Sequence, residues 1–304
     1  VFDILFINHK IQNCGVYQYG KRTANILANS QKFNLDYVEV DSQEELLNLI
    51  NEKEPEICLF NYHQTTMNWL DLESITHKKV AIHHESSKGN FRHIISVDPT
   101  TIENEFLFKV VRPLFNHQYQ NTSQQKSEKP IIGSFGFGFE HKGFDKICKL
   151  VNEQFDIAEI RLHITFNHYG NNSDFLDLTK QKCKNEITKE GIELKITSHF
   201  ISDEELSAFL SQNDINIFAY DSLVGRGPAS VLDFAIGARK PIGLTRSYMF
   251  KHLEPYFQFF DLEEKSIREI INKSEFAINQ LNNNWSNDNL VANYEQIFKK
   301  LSKG

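Results

Sequence analysis

The 304-residue chain is about twice an ordinary single domain, which favours two α/β domains, each with a full core. Hydrophobic residues make up 40% and charged residues 24%; no apolar run reaches the roughly 20 residues that span a bilayer, so a soluble cytoplasmic protein is expected, with peripheral membrane contact left open. A net charge of −7 excludes broad nucleic-acid binding, which needs a basic face.

The run at 2–7 is almost continuously apolar, the mark of a strand covered on both faces. A loop holding Gly15 follows, then a helix at 21–29. Residues 35–40 read as strand. Residues 42–52 read as a helix with Ser42 as N-cap and Glu45 closing a capping box. Further strands are expected at 57–61, 79–83 and 93–97. The polar, aperiodic stretch NHQYQNTSQQKSEK at 116–129 reads as a linker, because it cannot bury enough apolar surface to order itself. The alternation then restarts with strand 131–135, helix 142–154, and strands 159–165 and 193–197. A helix capped by Ser202 and Glu205 follows, then strand 215–220, helix 228–238 and strand 241–244. Domains are expected at 1–120 and 130–286. A helix at 287–304, with Leu290, Tyr294, Ile297 and Leu301 at helical spacing, crosses back to the first domain. Strands alternating with helices imply parallel sheets, whose ligands bind beyond the carboxyl ends of the strands.

The four cysteines, Cys14, Cys58, Cys148 and Cys183, are far apart in sequence and form no CxxC pair, and the twelve histidines show no HExxH spacing. Neither a disulfide framework nor a metal site is expected. Two glycine-rich turns carry cations instead. In GSFGFGFEHKG at 133–143, Gly136 and Gly138 allow close backbone approach, and Lys142 stands at a helix start, where a cation opposes the helix dipole. In the stretch 222–249, Arg226 lies between two glycines before the helix expected from Pro228, whose orphan N–H groups point outward. Both cations suit a phosphorylated ligand; a solvated lysine and a surface arginine are the plainer alternatives. Ser230 offers a hydroxyl beside them, or is simply a first-turn serine.

As a set, these stretches resemble the GT-B-fold glycosyltransferases, in particular the retaining glycosyl transferases group 1, or family 4. The resemblance rests on CGVYQYG at 14–20, GSFGFGFEHKGF at 133–144, SDEEL at 202–206, residues 213–220, and DFAIGARKPI at 233–242, which is similar to the family's EAxAxGxPVI. It implies two Rossmann-like domains facing each other across a cleft. The partners it implies are a nucleotide-sugar donor, which is a co-substrate and not a bound cofactor, and a saccharide or glycan acceptor. By the resemblance Gly15, Gly136, Lys142, Arg226, Ser230 and Asp233 hold the donor, and His199 and Phe200 lie at the base. His83 meets the transferred sugar and acts with Lys142 and Arg226 in catalysis, while Tyr17, Asn61, His63 and His84 lie on the acceptor side. Metal-independent transfer with retention is implied. The chain departs from the pattern at two points: Gly225 or Arg226 stands where the first of two acids is expected, and Gly136 or Phe137 where an arginine is expected. Those departures motivate a second reading, a catalytically inactive GT-B domain that binds a glycan or protein partner. A sugar-nucleotide epimerase of the same architecture is a third.

Overall fold

The computed structural model describes residues 2–12, 14–84, 89–115, 129–165 and 173–302. They divide into two compact units. The first comprises Val1–Pro113, Gly225–Pro228 and Asn284–Gly304, the second Leu114–Val224 and Ala229–Asn283.

The first unit is a six-stranded parallel sheet. Its strands are β1 (Phe2–His9), β2 (Phe33–Val40), β3 (Ile57–Tyr62), β4 (Lys78–His83), β5 (His93–Ser96) and β6 (Leu107–Lys109), in the order β2-β1-β3-β4-β5-β6. Alternate residues of β1 feed two separate cores, as the period of a strand requires. Ile4 and Phe6 pack beneath α1 (Gly15–Leu27) and α10 (Asn287–Ser302), while Leu5 and Ile7 pack with Leu46 and Ile50 of α2 (Gln43–Lys53). In α10 it is Leu290, Tyr294, Ile297 and Leu301, with Phe298, that face this core.

Two local expectations change. Helix α1 begins at Gly15 and not at 21, so the glycine-containing stretch forms its first turns. Glu45 does not complete a capping box: Ser42 accepts its N–H at 3.3 Å, but the carboxylate turns to Lys10 at 2.8 Å and to the Asp41 N–H at 3.2 Å. A nearby ammonium outcompetes the cap N–H for the same acceptor. Strand β6 was not anticipated, since three residues carry no readable period.

The second unit is a five-stranded parallel sheet built from β7 (Ile131–Phe137), β8 (Ala158–Thr165), β9 (Ile192–Thr197), β10 (Ile215–Phe218) and β11 (Ile242–Leu244), in the order β11-β10-β7-β8-β9. Its main helices are α3 (Phe144–Gln154), α4 (Ser173–Asn185), α5 (Asp203–Ser211) and α6 (Val231–Gly237). The short α7 (Phe257–Phe260) and α8 (Ile267–Lys273) precede α9 (Glu275–Asn284). Helix α5 carries the full reciprocal capping box of Ser202 and Glu205.

Helix α6 starts at Val231, three residues later than expected from Pro228. The Ala229 N–H is drawn to the Met249 carbonyl at 3.1 Å, and the Leu232 and Asp233 N–H groups turn back to Ala229 and Ser230. Those donors are therefore already taken within the second unit instead of pointing outward. The linker expected at 116–129 lies outside the described residues up to 128.

In each sheet the direction of strand addition reverses once, between β1 and β3 and between β7 and β10. At such a point the neighbouring connections leave to opposite faces, opening a crevice at the carboxyl ends of the two strands. Asn8 and Asn61 stand at the first of these points, and Gly136 and Tyr220 at the second.

Candidate functional site

In the first unit, β1 and β3 run parallel with Ile7 beside Phe60, so Asn8 and Asn61 meet one residue further on. Asn61 is fully buried. Its Nδ2 donates to Asn8 Oδ1 at 2.9 Å and to the Val16 carbonyl at 2.7 Å. Asn8 Nδ2 donates in turn to the Tyr17 carbonyl at 3.1 Å and to the Tyr37 hydroxyl at 3.0 Å. The Tyr37 and Tyr17 hydroxyls both donate to Glu39 Oε1, at 3.0 and 2.6 Å. Burial, reinforced by the Glu39 carboxylate, pushes the Tyr17 phenol up to about 12.

His84 closes the other end of this network, with Nε2 at 2.7 Å from Asn61 Oδ1. A carboxamide oxygen only accepts, so Nε2 carries the proton. Burial holds His84 well below the ordinary imidazole range, helped by the Arg112 guanidinium and by His83, His63 and His9. His9 is 1% exposed, and its Nδ1 accepts the Ile11 N–H at 3.1 Å. Burial lowers its pKa to about 4, with His63 contributing. The first unit thus brings together Tyr17, Asn61, His63 and His84, with His83 adjacent at the end of β4. Gly15 stands exposed at the start of α1.

In the second unit, Gly136, the penultimate residue of β7, has φ 152°, and a single 3-10 turn, Glu140–Lys142, precedes Gly143. Gly143 has φ 63°, and a Cβ there would stand 2.1 Å from the Ala219 carbonyl oxygen. Only glycine lets this turn press so closely against the end of β10. The contact delivers Lys142 to the residue after Ala219: its Nζ lies 3.9 Å from the ring centroid of Tyr220.

The other expected donor residues are spread along the same unit. Ser230 precedes α6 as its N-cap and Asp233 lies in its first turn, with the Asp233 N–H donating to the Ser230 carbonyl at 3.1 Å. Asp233 is fully buried. His199 and Phe200 follow β9, both exposed. The His199 ring meets His163 edge-on at 5.7 Å. His163 is buried, bonded through Nδ1 to the Thr197 hydroxyl at 2.8 Å, and burial lowers its pKa to about 4. Arg226 is exposed beside Gly225 at φ 88°, in the segment that groups with the first unit, so the structure does not place it in the same unit as Lys142.

Sequence reading missed Asn8, Glu39, His9, Tyr220 and His163. Asn8 and His9 directly follow the apolar run of β1, and Tyr220 ends the run of β10; a polar or aromatic residue at the carboxyl end of a parallel strand was the available signal. Among the described residues no group of three or more His, Cys, Asp or Glu could hold a metal ion. Nor is any helix there long and apolar enough to cross a membrane.

No protein-family profile and no curated protein matches the sequence. Solved structures do match over the whole chain. A glycosyltransferase from Rickettsia africae superposes with a TM-score of 0.69 at 13% identity, covering 100% of this chain and 99% of that one. AviGT4, a glycosyltransferase involved in avilamycin A biosynthesis, gives 0.71 at 10% identity, covering 100% and 99%. Anabaena HepE, in complex with UDP-glucose, gives 0.68 at 10% identity, covering 100% of both chains. With its two parallel Rossmann-like sheets of six and five strands, the chain has the GT-B fold.

Proposed function

We propose that this GT-B chain is a glycosyltransferase that moves a sugar from a nucleoside-diphosphate sugar to a saccharide or other hydroxyl acceptor, with retention and without a metal ion. The observation that carries the reading is Lys142, an ammonium presented at the carboxyl end of β7 beside a glycine turn, where the strand order of the second sheet reverses. A UDP-linked donor is favoured by the UDP-glucose complex of HepE.

In this mechanism the bond between the anomeric carbon and the diphosphate oxygen breaks first, and negative charge grows on the departing diphosphate. Lys142 opposes that charge, together with Arg226, and a fixed cation stabilises a developing anion more than the ground state. The departing oxygen takes the proton of the acceptor hydroxyl on the same face of the sugar, and the new glycosidic bond forms there. Proximity supplies much of the remaining rate. The donor is assigned to residues of the second unit, Gly136, Lys142, His199, Phe200, Ser230 and Asp233, with Gly15 and Arg226. His83 is assigned to the transferred sugar. Tyr17, Asn61, His63 and His84 are assigned to the acceptor, and the neutral state of His84 and its fixed tautomer suit hydrogen bonding to a hydroxyl.

One observation favours the inactive alternative: Asp233 is fully buried, and the position eight residues before it is Gly225, so the pair of acids is incomplete. Calorimetric titration with UDP, GDP and their sugars separates the two readings, followed by product analysis of the anomeric configuration. Transfer to an acceptor with the donor configuration kept is expected. A folded protein that binds no nucleotide refutes the enzyme reading, and transfer abolished by a chelator and restored only by Mn²⁺ or Mg²⁺ refutes metal independence.

A further inference from the structure

Tyr220 lies two residues beyond β10 and is 3% exposed. Its backbone is held on every side: Thr245 Oγ1 donates to its carbonyl at 2.7 Å, the neighbouring Asp221 N–H donates to the His141 carbonyl at 2.8 Å, and Ser247 Oγ donates to the Asp221 carbonyl at 2.9 Å. The ring is packed as firmly. Phe250 lies against it at 4.9 Å, Phe218 meets it edge-on at 6.2 Å and His141 edge-on at 6.4 Å. Lys142 Nζ sits over this ring at 3.9 Å from its centroid.

An ammonium over an aromatic face is attracted by the ring quadrupole, and the attraction grows as water is excluded. Lysine is otherwise a flexible four-carbon stem whose head roams in solvent. The Tyr220 hydroxyl has no protein partner among the described residues. It lies 3.6 Å from where a Cβ on Gly136 would stand. The ring, the glycine turn and the cation therefore form one compact group at the reversal point between β7 and β10.

We propose that Tyr220 is the positioning residue for Lys142: its ring face holds the ammonium in place for the donor diphosphate before the donor arrives. The proposal rests on the reading of Lys142 as a diphosphate ligand. The work of the residue belongs to the aromatic face and not to the hydroxyl, so the interaction is graded by the electron density of the ring. Pre-placing a long side chain removes its ordering cost from the binding step.

The test is calorimetric titration of the full chain with UDP. Lys142→Ala is expected to weaken binding about tenfold or more, the loss of one charged hydrogen bond. Tyr220→Leu is expected to weaken it about fivefold through loss of the ring face, and Tyr220→Phe to keep affinity within about twofold. In the Lys142→Ala background Tyr220→Leu is expected to have no further effect, because its only route to the ligand is the lysine. A series of mono-, di- and trifluorinated phenylalanines at 220 keeps the ring shape while draining its quadrupole, and affinity is expected to fall stepwise along it. Equal losses from Tyr220→Leu in both backgrounds, or a flat fluorination series, overturn the proposal. Unchanged affinity in Lys142→Ala, or a wild-type protein that binds neither UDP nor GDP, removes the diphosphate reading and the proposal with it.

Discussion

Gly20→Ala sets a local rule against a tertiary one. Gly20 lies inside α1, where alanine ordinarily stabilises a helix by about 1 kcal/mol over glycine. A Cβ built there, however, stands 2.3 Å from Asn61 Nδ2, 2.6 Å from Asn61 Cγ and 3.0 Å from Asn8 Nδ2. Neither amide is a loose side-chain end. Asn61 is fixed by Asn8, the Val16 carbonyl and His84 at 2.7 to 2.9 Å, so it cannot move an ångström without weakening two or three hydrogen bonds of about 1 kcal/mol each. Overpacking that remains after relaxation adds about 1 kcal/mol or more. Against the helix-propensity gain, the net is a destabilisation of about 1–3 kcal/mol. Urea unfolding, with hydrogen exchange of the α1 amides as the local probe, measures it. The double variant Gly20→Ala/Asn61→Ala is expected to lose less than the sum of its two parts, since removing the amide makes room for the new methyl group. An unfolding midpoint for Gly20→Ala at or above that of the wild type refutes the reasoning.

Gly143→Ala and Gly136→Ala should differ sharply in thermal unfolding. At 143 a methyl group meets the Ala219 carbonyl at 2.1 Å on a backbone at φ 63°, for an expected loss above about 3 kcal/mol; at 136 the nearest atoms are 3.6 and 3.7 Å away and only dihedral strain of about 1–2 kcal/mol applies. Equal losses contradict this. His9 and His163, each lowered by burial from 6.5 to about 4, bind a proton more readily in the unfolded chain. The stability tied to their neutral forms is therefore complete above pH 6.5 and is lost as pH falls toward 4, by at most about 3 kcal/mol each. Denaturation midpoints at pH 7 and 4.5 measure the slope, and His163→Gln should flatten it; an unchanged slope in that variant removes the assignment. Ser202→Ala, which deletes half of the α5 capping box, is expected to cost about 1 kcal/mol in urea unfolding, and a wild-type midpoint would show that the box contributes nothing.

Much of the architecture was legible because strand and helix periods are local. The apolar runs at 2–7, 57–61 and 79–83 lie inside β1, β3 and β4, and Ser202 with Glu205 caps α5 as its spacing implied. Errors fell where a distant partner decided a local choice. The Met249 carbonyl takes the Ala229 N–H and delays α6, and Lys10 takes the Glu45 carboxylate that would have closed a capping box. Motif reading found Lys142, but not Tyr220, on which its ammonium rests, because 78 residues of chain separate them.

Composition, the alternation of strands with helices and the glycine-rich turns by themselves determined a two-sheet parallel α/β protein with cations at its loops. These follow from side-chain periods and backbone freedom, which act over a few residues. Only the tertiary structure decided that Asn8, Asn61 and His84 share one hydrogen-bond network, and that Gly143 sets Lys142 over Tyr220. Parallel strands are joined by long crossovers, so residues adjacent at a sheet end come from distant parts of the chain. Strand order, which no local pattern records, chooses those neighbours.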